Sequence, residues 1–360
     1  MKNNKKITGI SHQQFLLADK DHKKAATVAH LRYVNDAMEG ICRKGKGNKW
    51  RYYLKNKLLQ DKERIEEIKK LAIPPSWTKV WICPNANGHI QATGYDLKNR
   101  KQYRYHSEWN ALRSETKFHH LYEFGRSLPL LRKQVQKDIS NKELTEDKVL
   151  ATAISLMERT YIRVGNNGYE KLYGSYGLTT LKDNHVKIKK DEINFSFLGK
   201  KGIEHTISLK NKKLASIVKQ CRDIPGKQLF QYYDKEGNKK QIDSGMLNNY
   251  IKKATGMDFS AKDFRTWAGS LQAIECLRIC GEPADEAETK KNILQMLDMV
   301  SDKLGNSRNI CKKYYVHPGL IKLYEEKKLF SLVSEGSTSK KSSGLSKEEQ
   351  VLLPVLKKCF

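Results

Sequence analysis

Two separate blocks of this sequence alternate apolar and polar residues as β-strands do, while helical periodicity fills most of the remaining chain. Turn residues at 85–88 and 199–202 indicate that each block forms a small antiparallel sheet. The strand-like segments are residues 80–83, 90–93 and 102–105 in the first block, and residues 178–181, 186–188, 193–197 and 205–209 in the second. Because strands and helices are segregated along the chain, we expect an α+β fold.

The N-terminal part before the first block gives weaker signals. Residues 27–70 resemble short helical and loop segments around a basic, glycine-containing loop at 43–51. Within them, the apolar spacing of residues 63–71 predicts an amphipathic helix, which Pro74 and Pro75 end.

Helices are predicted for most of the C-terminal two thirds. Helical periodicity resumes near Leu112, and the apolar residues of 148–159 predict a buried helix that ends shortly before Arg163. Helices dominate residues 211–333. Residues 334–360 combine a segment rich in Ser, Gly and Lys, typical of a flexible linker, with a short apolar segment.

The charge of the chain indicates an anionic partner. Lys and Arg number 68 against 40 Asp and Glu, a formal net charge of +28 over 360 residues. This excess points to nucleic acid or an anionic membrane. A membrane is the weaker choice, because no apolar run approaches the roughly 20 residues of a spanning helix and the N-terminus lacks the apolar core of a signal peptide.

The cysteines argue against a disulfide framework or a zinc site. The seven are scattered and none forms a C-x-x-C pair. Cys276 and Cys280 lie one helical turn apart, a spacing more typical of buried core than of metal ligation. We therefore expect a reducing, intracellular environment and no bound metal.

Tyr315 is the residue that most directly suggests a chemistry. A phenol is a poor nucleophile at neutral pH because its ordinary pKa is about 10, but neighbouring cations favour the phenolate and attract a polyanion. Tyr315 lies nine residues after Asn306 and close in sequence to Arg308, Lys312 and Lys313.

Three more cations complete the pattern. Arg163 follows the predicted buried helix, Lys200 lies in the glycine-bounded turn, and Arg265 lies within residues 262–267. Taken singly, each is better explained as an ordinary surface charge. The combination with Asn306 and Tyr315 carries the signal.

These five residues, Arg163, Lys200, Arg265, Asn306 and Tyr315, together resemble the type IB DNA topoisomerases, specifically the compact poxvirus-like and bacterial branch. The resemblance extends from about residue 30 to 356. The spacings of 37 residues from Arg163 to Lys200 and of nine from Asn306 to Tyr315 match that family. Further motifs that carry it lie at residues 71–84, 87–96, 100–106 and 344–353.

The resemblance implies a role for each residue. Tyr315 would attack a DNA phosphodiester and form a 3′-phosphotyrosyl link, relaxing supercoiled DNA by transient single-strand cleavage and religation. Arg163 and Arg265 would hold the phosphate with planar forks of donors, and Asn306 would donate one further hydrogen bond. Lys200 would protonate the departing 5′-oxygen as general acid. We expect no cofactor, ATP or metal, since no Walker-A loop or acidic cluster for Mg²⁺ is present.

Two positions depart from the poxvirus-type pattern. That pattern has histidine at the position of Asn306, whereas asparagine resembles the bacterial-type variant and still donates. It also has aspartate at the position of Lys201, so an auxiliary role for that acid is in doubt here. Only the match of residues 315–318 to the family favours Tyr315 over the adjacent Tyr314.

Further DNA contacts are expected with less support from the sequence. Lys262 precedes Arg265 by one helical turn and is either near the phosphate or solvated. Tyr169 matches a DNA-contacting tyrosine of the family. Tyr103 and Tyr105 alternate on the first predicted sheet and face either a DNA groove or the core.

The resemblance implies a two-domain clamp on double-stranded DNA. An N-terminal domain with an antiparallel sheet would cover residues 1–112, a mainly helical catalytic domain with a small sheet 113–333, and a linker with a short C-terminal segment 334–360. We expect a monomer that does not bind membranes. Its location would be the bacterial cytoplasm or nucleoid, or the virion or viral factory of a large DNA virus.

Two other classes of protein remain as alternatives. A tyrosine site-specific recombinase uses related chemistry, but its second arginine normally stands in a His-x-x-Arg motif, and Lys262 holds the place of that histidine here. A non-catalytic DNA-packaging protein would explain the charge but not the five spaced residues.

Overall fold

The computed structural model describes residues 21–45, 49–336 and 344–359. Its chain divides into two compact units between His120 and Leu121. Both contain helices and antiparallel strands, which confirms the predicted α+β class. No helix among the described residues is long and apolar enough to cross a membrane.

The first unit is built around one antiparallel sheet. In its described part the strand order is β3-β2-β1-β4-β5-β6. The strands are β1 (Ile41–Lys44), β2 (Arg51–Leu54), β3 (Lys57–Leu58), β4 (Thr78–Ile82), β5 (Ile90–Tyr95) and β6 (Lys101–Tyr105), and the helices are α1 (His22–Val28) and α2 (Lys62–Lys70). A long helix, α3 (Ser107–Ile139), begins in this unit and ends in the second.

The core of this sheet lies between its strands and α2. Ile41, Ile82, Ala92 and Ile68 are each at most 1% exposed and belong to one apolar cluster. The prediction of β4 to β6 and of α2 is confirmed. The prediction of only short helices and loops for residues 27–70 is wrong, because β1, β2 and β3 extend the sheet. The middle of the basic loop, residues 46–48, lies outside the described residues.

The second unit is mainly helical and holds a three-stranded and a two-stranded antiparallel sheet in its described part. Its strands are β7 (Val186–Lys189), β8 (Glu192–Leu198), β9 (Glu204–Lys210), β10 (Gln231–Tyr233) and β11 (Lys239–Gln241). Its further helices are α4 (Glu146–Thr160), α5 (Asn167–Tyr173), α6 (Lys212–Arg222), α7 (Ser244–Thr255), α8 (Ala261–Cys280), α9 (Glu286–Leu304), α10 (Arg308–Tyr314), α11 (Pro318–Glu325), α12 (Leu329–Gly336) and α13 (Lys347–Lys358).

Helix α4 is the buried helix that the sequence predicted. It begins at the N-cap Thr145, whose side chain accepts from the Lys148 backbone N–H, and its residues from Lys148 to Met157 are buried. It ends at Tyr161, which adopts the left-handed conformation with φ 57°. This sharp end turns the chain and places Arg163 two residues beyond it.

The β7–β8–β9 sheet carries the predicted lysine turn. Strands β8 and β9 pair from Glu192 with Lys210 to Leu198 with Glu204. The connection is a short 3₁₀ turn at Lys200–Gly202, in which Lys201 has φ 66°. The prediction of β8, β9 and their turn is confirmed, whereas the strand expected at 178–181 is wrong, because Leu178–Thr180 forms a 3₁₀ helix.

A partly buried ionic network attaches α13 to the rest of the second unit. Arg132 on α3 donates to Glu349 on α13 through Nη1 and Nη2, both at 2.7 Å, and also to Glu158 on α4. The Trp267 indole on α8 donates to Glu349 Oε1 at 3.0 Å. The apolar face of α13 is buried as well, including Leu352 at 0% exposure. This segment therefore packs on helix α8.

Helix α12 extends to Gly336, three residues into the segment that was expected to be a linker. Residues 337–343 of that segment lie outside the described residues.

Candidate active site

The ends of helices α4 and α9 hold two arginine side chains. Arg265, on the first turns of α8, donates from Nη1 to the Tyr161 carbonyl at 2.5 Å and from Nη2 to the Leu304 carbonyl at 2.6 Å. Arg163 donates from Nη2 to the Gly305 carbonyl at 3.1 Å. The last carbonyls of a helix have no intrahelical partner and carry partial negative charge, so they orient cations well.

The two guanidinium groups lie close enough to affect each other, with Arg265 buried and Arg163 partly buried. Burial lowers the pKa of Arg163 to about 10, and the charge of Arg265 contributes to the lowering. With this pKa Arg163 remains charged at neutral pH, and the carbonyls that anchor the two side chains are neutral. Arg265 is only 6% exposed, and its Nε–H has no hydrogen-bond partner among the described residues. One buried and one partly buried cation with an unused donor favour an anionic ligand.

Asn306 joins this pair through its side chain. Its Oδ1 accepts from Arg163 Nη2 at 3.0 Å, and its Nδ2 donates to the Leu304 carbonyl at 3.1 Å. Gly305 makes the geometry possible, because it ends α9 in the left-handed conformation with φ 56°. Three of the predicted residues thus meet at one helix end.

Tyr315 lies beside the arginines at the end of α10. The centroid of its ring is 5.3 Å from Arg265 Cζ, a cation–π distance. The Tyr315 phenol also interacts electrostatically with the Arg163 guanidinium. The structure therefore brings together Arg163, Arg265, Asn306 and Tyr315.

Helix α8 also fixes the backbone of Tyr315. A Cβ on Gly269 would stand 2.6 Å from the Tyr315 carbonyl oxygen and 2.8 Å from its Cβ, so only glycine permits this approach. Ser270 Oγ donates to the Tyr315 carbonyl at 3.1 Å and accepts from the His317 N–H at 3.1 Å. Gly269 and Ser270 were not identified from the sequence, because contacts to main-chain atoms leave no motif.

The neighbouring tyrosine and cations differ from Tyr315 in their surroundings. Tyr314 is 39% exposed, and its ring stands near Lys313. Arg308 forms an ion pair with Asp298.

Lys200 is exposed on the β8–β9 turn, beside a cavity of about 440 Å³. Gly199, next to it in sequence, lines this cavity together with Arg163, His205 and Gly305. Lys200 makes no hydrogen bond or ion pair with the residues that the structure describes. The structure places its turn near the arginine group without holding the ammonium there.

The four expected DNA-contacting residues are on the surface of their own units. In the second unit, Lys262 is exposed on the first turn of α8, and Tyr169 is 54% exposed on α5. In the first unit, Tyr103 and Tyr105 are 42% and 39% exposed on β6, with rings stacked 5.7 Å apart. The core alternative for these two tyrosines is therefore wrong.

The arrangement suits chemistry at a phosphodiester. The Tyr315 ring lies against the Arg265 guanidinium, and the Asn306 amide is hydrogen-bonded to the Arg163 guanidinium. Both guanidinium groups and the amide can donate to phosphate oxygens. Such preorganised donors stabilise the extra charge that develops on equatorial oxygens when an oxygen attacks phosphorus.

Comparisons with known proteins point to one family. Residues 106–334 match the family model of the eukaryotic DNA topoisomerase I catalytic core, and residues 49–96 match that of the bacterial DNA topoisomerase IB N-terminal domain. The chain is 34% identical over 297 residues to DNA topoisomerase 1B of Acanthamoeba polyphaga mimivirus, covering 80% of this chain and 88% of that relative. It is 21% identical over 289 residues to DNA topoisomerase 1B of vaccinia virus strain Western Reserve, covering 78% and 88%.

Proposed function

Because this chain belongs to the type IB DNA topoisomerases, which relax supercoiled DNA through a transient single-strand break, we propose that Tyr315 is its nucleophile and that Arg163, Arg265 and Asn306 bind the scissile phosphate. The observation that supports this most is the convergence of these four side chains, from the ends of α4, α9 and α10 and from α8. No member of the group is adjacent in sequence to another.

Each step of the proposed cleavage has a donor or acceptor. The Tyr315 oxygen forms a bond to phosphorus while the bond from phosphorus to the 5′-oxygen breaks, and the phenol proton passes to water. Arg163 and Arg265 stabilise the charge on the equatorial oxygens, which is usually the largest catalytic contribution. Lys200 gives a proton to the departing 5′-oxygen. Religation reverses these transfers, because the phosphotyrosyl ester retains the energy of the broken bond.

The exposed position of Lys200 is compatible with a general acid that acts only when DNA is bound. Its turn is short and bounded by glycines, and the ammonium has no competing partner among the described residues. Apo structures often hold catalytic groups short of their productive contacts.

We extend the proposal to the duplex as a whole. Exposed Tyr103 and Tyr105 in the first unit, and Tyr169 and Lys262 in the second, would contact DNA outside the cleaved phosphate, as expected of a two-domain clamp. The net charge of +28 supports strong, salt-dependent binding to the phosphates. The protein would act as a monomer, because one chain supplies the whole phosphate site.

Covalent trapping tests the choice of nucleophile. Tyr315→Phe should form no denaturation-resistant adduct with duplex DNA while binding it almost as well as the wild type, since one oxygen and no charge is lost. Tyr314→Phe is the matched control and should retain adduct formation. An inactive Tyr314→Phe together with an active Tyr315→Phe would reverse the assignment.

A further inference from the structure

His205 contacts two parts of the site that are distant in sequence. It lies on β9 opposite Phe197 of β8, and the two rings stack with centroids 5.2 Å apart and planes 21° from parallel. This pair is the second before the turn that carries Lys200. The imidazole is therefore fixed near the base of the turn.

Two glycines show how closely the imidazole packs. A Cβ on Gly199 would lie 2.5 Å from His205 Cδ2, so the ring covers the backbone of the residue that precedes Lys200. A Cβ on Gly305 would lie 3.0 Å from His205 Cε1. Gly305 precedes Asn306, and its carbonyl accepts from Arg163. One ring thus contacts the lysine turn and the loop that holds Arg163 and Asn306.

The imidazole is neutral in this position at neutral pH. Burial lowers the pKa of His205 below its ordinary value, and the charges of Arg163 and Arg265 lower it further. A neutral ring packs beside these cations without adding a third charge. Its role here is therefore to pack against its neighbours rather than to carry charge.

We propose that His205 is a positioning residue that seats the Lys200 turn against the loop of Arg163 and Asn306, so that the Lys200 ammonium reaches the departing 5′-oxygen. The inference rests on the proposed role of Lys200 as general acid. Lys200 has no partner among the described residues, so the position of its ammonium depends on the turn, and the turn is packed against the loop through His205.

The test compares two substrates under single-turnover conditions. One is an ordinary duplex, and the other carries sulfur in place of the bridging 5′-oxygen, which leaves readily without a proton. His205→Ala should cleave the ordinary duplex about 10- to 100-fold more slowly than the wild type, a smaller loss than the roughly 10²–10⁴ expected for Lys200→Ala. On the sulfur substrate both variants should return to within about threefold of the wild type, because neither then lacks a required proton.

Three further variants separate positioning from general loss of structure. Ile207→Ala is the matched control, because Ile207 is two residues further along β9, on the same face and away from the turn; its rate on the ordinary duplex should change little. His205→Phe should recover most of the rate, since it keeps a ring that stacks on Phe197. The double variant Lys200→Ala with His205→Ala should be no slower than Lys200→Ala alone.

The outcomes distinguish this inference from the function on which it rests. If sulfur rescues Lys200→Ala but not His205→Ala, Lys200 remains the acid and the positioning role of His205 is refuted. A double variant slower than Lys200→Ala by the full His205→Ala factor would also refute it, because His205 would then act independently. If sulfur rescues neither variant, Lys200 is not the acid and both proposals fail.

Discussion

Gly269→Ala tests whether helix α8 sets the position of Tyr315, the proposed nucleophile. The added Cβ would stand 2.6 Å from the Tyr315 carbonyl oxygen, whereas an ordinary contact needs about 3.4 Å, so the Tyr315 backbone or α8 must move by about 0.8 Å. The atoms that clash belong to the main chain and Cβ of Tyr315, so no flexible side chain can absorb the shift. A misplacement of about 1 Å in an active site costs about 10²-fold in rate.

We therefore expect Gly269→Ala to form the covalent adduct about 10- to 100-fold more slowly than the wild type. The assay is a single-turnover reaction with a duplex whose cleaved strand dissociates, which prevents religation. Binding of intact duplex should be nearly unchanged, because no charge is altered. The variant should remain folded, since alanine is better than glycine in a helix interior by about 1 kcal/mol and offsets part of the strain.

Gly245→Ala is the matched control for this prediction. Gly245 also lies in a helix, α7, and the nearest atom to an added Cβ is Oδ1 of Asp243, the N-cap residue of α7, at 3.1 Å rather than an atom of Tyr315. Its adduct rate should equal that of the wild type. A wild-type rate for Gly269→Ala, with an unchanged thermal unfolding midpoint, would refute the conclusion that contact with α8 positions Tyr315.

Two further predictions concern the partly buried network and the energy source. Burial raises the pKa of the Glu349 carboxyl, but the hydrogen bonds and charge of Arg132 outweigh this effect and hold the pKa below its ordinary value. The ion pair therefore stabilises the fold fully above the ordinary carboxyl pKa of about 4.3. This contribution is lost as the pH falls through the lowered pKa of the folded state. Glu349→Gln should lower the free energy of unfolding at pH 7 by about 1.5–3 kcal/mol, since Arg132 keeps Glu158 as a partner, and the difference from the wild type should shrink towards pH 3. A difference that stays constant with pH in denaturant unfolding would contradict the assignment. The second prediction is that the wild type relaxes positively and negatively supercoiled plasmid in EDTA without ATP, whereas Tyr315→Phe does not. A strict requirement for divalent metal or nucleotide would exclude the proposed mechanism.

The sequence predicted those elements whose own residues carry a strong periodic signal. Helix α4 was predictable because its apolar residues follow helical spacing over three turns, and the β8–β9 hairpin because glycines bound its turn. Strands β1 to β3 were missed because each has two to four residues, several of them charged, and gains its stability from pairing and from packing on Ile68.

In the candidate site too, some residues could be predicted from the sequence and others could not. Residue types and spacings, read with a family resemblance, were enough to propose Tyr315, Arg163, Arg265, Asn306 and Lys200. The supports of these residues were not predictable. Gly269 and Ser270 act on main-chain atoms of a segment 45 residues away, and Glu349 reaches Arg132 across 217 positions. Such contacts exist only after the helices pack, and a single sequence carries no local pattern for them.

The carbonyl anchors of the two arginines have a consequence for how the site tolerates mutation. An acidic side chain in their place would orient Arg163 and Arg265 equally well but would cancel their charge and repel a phosphate. Carbonyls at Tyr161, Leu304 and Gly305 orient both cations and leave the full positive charge for DNA. Every amino acid possesses such a carbonyl, so side-chain substitutions at Tyr161 or Leu304 can alter the orientation only by moving a helix end. Because main-chain carbonyls orient the two arginines, substitutions of the surrounding side chains leave the positive charge that binds DNA in place.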